Sequence, residues 1–280
     1  MFCWWQYDLR NSMCCHYRYD KLGGIMARGY QYDFSSGSSS VYDVADRERK
    51  AKTTVAVFED FFKEQSLRAL SLLNVGGSAG IIDNYLADHF ARVIGLDIDA
   101  PAVEHARRNY NKPNLEFVVG DAMNLQYDDE AFDVVVCSHV YEHVPDAARM
   151  MEEIYRILKP GGVCYFAAGN RIMWNEPHYN LKLLSVMPRW LAHIYVRLAG
   201  KASHYYEKHY TYWGLRWLVK KFDVYDYTLK IIEDPNKFDA EYMIQPGSRK
   251  ALVGALIARY CKWACPGYIW LLQKKSNDPV

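Results

Sequence analysis

The stretch LLNVGGSAG at residues 72–80 decides the fold. Leu72 to Val75 read as the end of an apolar strand, and Gly76, Gly77 and Gly80 follow within five positions. Glycines there let the backbone turn tightly and approach a ligand with no side chain in the way. The helix expected next adds a turn of oriented N–H donors. Seventeen residues beyond Gly80, VIGLDID (93–99) places Asp97 at the carboxyl end of a second strand. An acid at that tip suits hydrogen bonds to ribose hydroxyls in the ligand crevice of a parallel sheet.

Working outward, short apolar runs recur at Leu70–Val75, Val93–Leu96, Leu115–Val119, Phe132–Cys137 and Val163–Ala168. Amphipathic stretches near 81–91, 100–109 and 146–158 separate them, a strand–helix alternation that predicts a parallel sheet covered on both faces. TTVAVFEDFFKEQ (53–65) has helical spacing, after a serine-rich segment at 33–50 read as a loop and a helix start. Residues 170–210 are aromatic-rich without a strand pattern and too long for a plain connection. Tyr212–Lys221 reads as a helix, Val224–Ile231 as a strand, Lys250–Ala264 as a helix and Tyr268–Leu272 as a final edge strand. The expected architecture is α/β: a Rossmann-like, seven-stranded, mostly parallel sheet with helices on both faces and a helical cap. The expected divisions are a partly disordered leader (1–50), a core (51–169), a cap (170–215), a completion of the core (216–275) and a tail (276–280).

The 280 residues are 50% hydrophobic and 24% charged, the composition of a globular protein. Thirty-four basic residues against 33 acids give a net charge of +1, without the basic field of a protein that grips nucleic acid through phosphates. Seven cysteines without zinc spacing read as reduced thiols in a cytoplasmic protein. The first 25 residues lack the apolar run of a signal peptide, and Met26 reads as an alternative start.

Four blocks together resemble the class I S-adenosylmethionine-dependent methyltransferases: LLNVGGSAG, VIGLDIDAPAVEHAR, FVVGDAMNLQYDDEAFDVVVCSHVYEHV and EEIYRILKPGG. The resemblance covers residues 70–169 closely and implies S-adenosylmethionine as cofactor. It implies that Gly76, Gly77, Ser78 and Gly80 line its methionine part, Asp97 holds the ribose and Ile98 flanks the adenine. Asp121 with Ala122 would read the adenine amino group, with Ser138 and His139 near the sulfonium. Two positions depart from the pattern: Ser78 stands for a glycine, and Asn74 for an acid expected to face the cofactor's ammonium.

His139, Glu142 and His143 could share one helical face, as in relatives that use a Glu/His cluster for magnesium. Those carry a glutamate where this chain has His139, so no metal is expected. In the cap, Glu176, His178 and Tyr179 are polar groups in an aromatic setting, joined by Tyr206 and Tyr210 as acceptor-binding wall. His178 is the candidate general base, because imidazole titrates near neutrality, and His139 is the second candidate catalytic residue.

The reading is methyl transfer to a small-molecule, lipid or glycan acceptor, with an RNA or protein methyltransferase or a non-catalytic regulator as alternatives. Leu252, Val253, Leu256, Ile257 and Tyr260 form one stripe expected to pack on the domain. Residues 245–280 hold six basic side chains against one acid, which admits peripheral contact of this C-terminal helix with an anionic membrane.

Overall fold

The computed structural model describes residues 32, 34–37, 39–63 and 65–276. Two short helical turns, the first being α1 (Phe34–Gly37), lead into α2 (Val44–Phe62). The division expected at residue 50 therefore falls inside a helix. Asp43 caps α2 by accepting the Asp46 N–H at 3.0 Å.

The core then alternates as β1 (Ser71–Val75), α3 (Ile81–Leu86), β2 (Arg92–Asp97), α4 (Ala100–Asn109) and β3 (Leu115–Val119). It continues with β4 (Phe132–Ser138), α5 (Ala147–Ile157) and β5 (Leu158–Gly169). The cap holds a two-residue hairpin, β6 (Asn175–Glu176) with β7 (Leu181–Lys182), and one α-helix, α6 (Arg189–Leu198). After it come α7 (Tyr212–Leu218), β8 (Asp223–Asp226), α8 (Thr228–Glu233), α9 (Arg249–Tyr260) and β9 (Gly267–Gln273).

The large sheet has the order β3-β2-β1-β4-β5-β9-β8. β1 to β5 are parallel, and β9 runs antiparallel between β5 and β8. Alternate residues feed two cores. Leu73, Val135 and Phe166 face one layer, while Leu72, Val134, Val136 and Tyr165 face the other with Phe58 of α2.

Two expectations about strands in the C-terminal third are corrected. β9 is an inner strand and β8 the edge. The run 224–231 is strand only to Asp226, because Tyr227 makes the last sheet contact, its N–H donating to the Ile269 carbonyl at 2.9 Å, before α8 begins. The α9 stripe is corrected in part: Val253 and Ile257 are half-buried and Ile257 packs on the core, but Leu252, Leu256 and Tyr260 are exposed, and the closest packing is through Ala251, Gly254 and Ala258. No helix among the described residues is long and apolar enough to cross a membrane.

Candidate functional site

The parallel order gathers the carboxyl ends of β1 to β5 along one edge, where the loops that follow them meet. The loop after β1 is tied to the tip of β2: the Gly76 and Gly77 N–H groups donate to the Leu96 carbonyl at 2.8 and 3.0 Å. Gly76 has φ 81, and a Cβ there would stand 2.5 Å from Val140 Cγ2 in the loop after β4. Contact between two protein loops thus requires glycine at 76. Ser78 takes φ 53, a left-handed conformation that costs serine more than glycine.

The Ser78 N–H donates to Asp97 Oδ2 at 2.8 Å, and the Asp99 N–H donates to Oδ1 at 2.9 Å. Two backbone donors therefore fix the carboxylate, and each oxygen keeps a lone pair for a ligand hydroxyl. Burial raises the pKa of Asp97 against those two N–H groups. Ile98 is half-buried beside it. Asp121, after β3, is half-buried and accepts the Met123 N–H at 2.7 Å. The methyl of Ala122 is buried in the core, so only its backbone can meet a ligand. Ser138 ends β4, and His139 after it has φ 56 and donates its N–H to the Ala167 carbonyl at 2.9 Å.

Asn74 is buried, and its carboxamide donates to Asp83 Oδ1 at 2.7 Å. Asp83 Oδ2 lies 2.6 Å from where a Cβ on Gly77 or on Gly95 would fall, so this acid sits directly under the glycine loop. Burial pushes Asp83 up to about 7, against the Asn74 hydrogen bond and with help from the Asp97 charge. Asp83, nine residues beyond Asn74 and bonded to its amide, thus places an acid beneath the glycine loop. Sequence reasoning missed Asp83, whose only signal was an acid in the first turn of α3.

A second group of polar side chains joins the loop after β4 to the cap. Glu176 is fully buried. Its Oε1 lies 2.6 Å from His178 Nδ1 and 3.2 Å from His209 Nε2, and its Oε2 accepts the Tyr179 N–H at 3.0 Å. The His178 ring meets that of His143 edge-on, with centroids 4.7 Å apart. His143 Nδ1 lies 3.8 Å from Glu207, and His139 Nδ1 lies 3.4 Å from Glu142. Three buried carboxylates and four imidazoles therefore gather between this loop and the cap, with ligand atoms of Glu142, His143 and His178 within 4.8 Å of one another.

Burial alone would raise Glu142, yet His139, His143 and His209 hold it far below the usual carboxylate range. Burial would likewise raise Glu176 and lower His178, and their ion pair reverses both, holding the acid low and the imidazole high.

Tyr179 is buried and its N–H steadies Glu176, while its hydroxyl accepts the Tyr206 N–H at 3.4 Å. Tyr206 is not brought into the cluster, its hydroxyl lying 3.3 Å from that of Ser203. Tyr210 packs against the Tyr141 ring at 5.7 Å. The Tyr141 hydroxyl donates to the Gly169 carbonyl at 2.5 Å and lies 3.5 Å from His209 Nδ1. Glu207 and Tyr141 were missed. Residues 205–209 alternate between buried and less buried, with Tyr205, Glu207 and His209 inward, a period of two hidden by its polar members.

Two donor sets could reach a metal ion, Glu142 with His143 and His178, and Glu176 with His178 and His209, each within 4.8 Å. The 2.6 Å between Glu176 and His178 is a direct hydrogen-bond distance. For S-adenosylmethionine the residues fit by their chemistry: a carboxylate with spare lone pairs at the tip of β2, a half-buried isoleucine next to it and an acid after β3.

Residues 73–166 match the family model described as a methyltransferase domain. Among curated proteins, the chain is 40% identical over 95 residues to a phthiotriol/phenolphthiotriol dimycocerosates methyltransferase of Mycobacterium leprae, covering 33% of each chain. It is 32% identical over 108 residues to a ubiquinone biosynthesis O-methyltransferase of Coxiella burnetii, covering 38% of this chain and 46% of that one. The chain thus spans less than half the length of these relatives. Among solved structures, the Haloferax volcanii methyltransferase in complex with the Trm112 methyltransferase activator aligns with TM-score 0.55 at 20% identity. That match covers 89% of this chain and 98% of that one and shows a shared fold.

Proposed function

We propose that this chain, whose residues 73–166 match a methyltransferase-domain model, transfers a methyl group from S-adenosylmethionine to a hydroxyl of a small-molecule, lipid or glycan acceptor. The observation that carries this reading is the juxtaposition at one sheet edge. The Asp97 carboxylate stands at the tip of β2, and the Glu176–His178 pair is held over the loop after β4 by the His143 ring. Relatives named for dimycocerosates and for ubiquinone biosynthesis O-methylation favour the lipid end of that range.

The cofactor, when bound, supplies the electrophilic methyl group. Asp97 would hold its ribose, Ile98 its adenine, Asp121 and the Ala122 backbone its amino group, and the loop 76–80 its methionine part, with Ser138 and His139 beyond. The chain's own work is to align the acceptor in line and to exclude water from buried surroundings. His178 receives the hydroxyl proton. With Nδ1 directed at Glu176 Oε1, Nε2 is the nitrogen left for the acceptor.

The pH dependence follows from the ion pair. Glu176 raises His178 above its ordinary value, so the imidazole is protonated at neutral pH and turnover climbs as pH rises beyond it. Glu176→Gln removes the charge that raises the imidazole, and the limb moves down toward neutrality. His178→Ala should lose about 10²–10⁴-fold in rate and lose the limb altogether. A limb unmoved by Glu176→Gln, or wild-type turnover in His178→Ala, would take the pair out of the reaction.

We place no metal in this step. Dialysis against EDTA should leave turnover unchanged, whereas loss restored by a divalent ion would make ligands of His178 and the side chains around it. The acceptor class is tested by incubating cell extract with methyl-labelled cofactor and fractionating the products. Label in lipid, glycan or small hydroxylated metabolites is expected. Label confined to RNA or protein would contradict the reading.

A further inference from the structure

We propose that the outer face of the cap docks on an anionic lipid bilayer. Helix α6 is two-sided. Ala192 and Val196 are fully buried against Tyr179, Leu184 and Tyr205, a small core belonging to the cap itself. On the opposite side Trp190, Ile194 and Leu198, spaced i, i+4, i+8, stand in solvent, Trp190 at 66% and Leu198 at 83% exposure. The segment before the helix extends this surface. The Leu183 N–H donates to the Trp174 carbonyl at 2.8 Å, and both side chains are exposed, as is Val186, two residues before Pro188 at the start of α6. Large exposed apolar side chains concentrated on one small part of a globular protein mark an interaction site.

Charge selects the occupant. Residues 170–221 contain nine lysines and arginines against two acids, Glu176 and Glu207, and both acids are fully buried. The surface of this segment therefore presents cations and no carboxylate. Lys182 Nζ lies 6.0 Å from the centre of the Trp174 ring, and Arg197 and Lys201 flank the end of the α6 stripe. Exposed tryptophans and aliphatic side chains ringed by basic groups match the headgroup boundary of an anionic bilayer, where apolar burial and lipid charge act together.

The C-terminal helix, where sequence reading placed membrane contact, is a poorer match. Its exposed Leu252, Leu256 and Tyr260 share their surroundings with carboxylates, Arg259 being paired with Glu233 and nearby Lys262 with Asp226.

This inference is independent of the methyl-transfer reading, because vesicle binding is measured without cofactor or acceptor. The full chain is floated with phosphatidylcholine vesicles with and without phosphatidylglycerol. Binding is expected only with the anionic lipid, weakening as salt rises. Trp190→Glu combined with Leu198→Glu should weaken it at least about tenfold, and Leu252→Glu with Leu256→Glu should leave it in place. A thermal melt checks that each variant folds, and Trp190→Ala with Leu198→Ala serves if the glutamates disturb the cap. Three results would overturn the proposal: no flotation of the wild type, flotation of the cap variant like the wild type, or a wild-type dimer that the cap variant makes monomeric.

Discussion

At position 83 a fully enclosed carboxyl group lies beneath the loop expected to meet the cofactor, and burial holds its pKa at about 7 against 3.8 in an exposed chain. The folded state therefore binds a proton that the unfolded state has lost across that interval, so Asp83 takes stability away as pH rises from about 4 to about 7. Asp83→Asn keeps the bond to Asn74 and removes the ionisation. Its melting temperature should fall less than that of the wild type across the interval and exceed it above neutrality. Parallel melting curves would show that Asp83 does not titrate there. Gly76→Val is a folding lesion before it is a binding lesion. It forces a β-branched residue to φ 81 with its Cβ against Val140, at about 1–3 kcal/mol for the backbone alone, which urea denaturation can read. Both glycine and acid were visible in the sequence, but their relation was not: Asn74 and Asp83 are nine residues apart and become a pair only when α3 lies on β1.

The elements with strong local signals lie where the pattern put them. Helix α4 occupies residues 100–109, and the first four parallel strands match their apolar runs to within a residue while β5 begins five residues before its run, since each must bury a face on either side of one sheet. Element α2 shows what such burial is worth. Phe58 is fully buried and meets Phe62, Phe90 and Tyr165 at centroid distances of 6.2, 5.8 and 5.9 Å. Phe58→Ala should cost about 3–5 kcal/mol in chemical denaturation, and a loss below about 1 kcal/mol would mean that α2 is not part of the core. Signals failed where distant contacts decide. The alternation through 224–231 continues past the point at which β9 ends its pairing, so local pattern could not locate the turn into α8. In α9 the large apolar stripe looked like the buried face, yet only its Val253 and Ile257 side is half-buried, and the fully buried positions are Ala251, Gly254 and Ala258. The cap segment around Glu207 and His209 carried polar residues at inward positions, which hydrophobic periodicity does not register.

At the scale of the whole molecule, the proposed reaction would divide its work between the sheet edge and the cap. Tips of β1 to β4 present the residues suited to the donor, and the cap brings a buried Glu–His pair toward the same edge. Donor binding should therefore be separable from acceptor chemistry, with His178→Ala retaining the cofactor affinity of the wild type. Isothermal titration with S-adenosylhomocysteine tests the central claim most directly. The wild-type chain should bind it, and Asp97→Ala, which removes a charged acceptor for the ribose hydroxyls worth about 1.5–3 kcal/mol, should bind at least tenfold more weakly. No binding by the folded wild type, or equal affinity in Asp97→Ala, would contradict a donor site at the tip of β2.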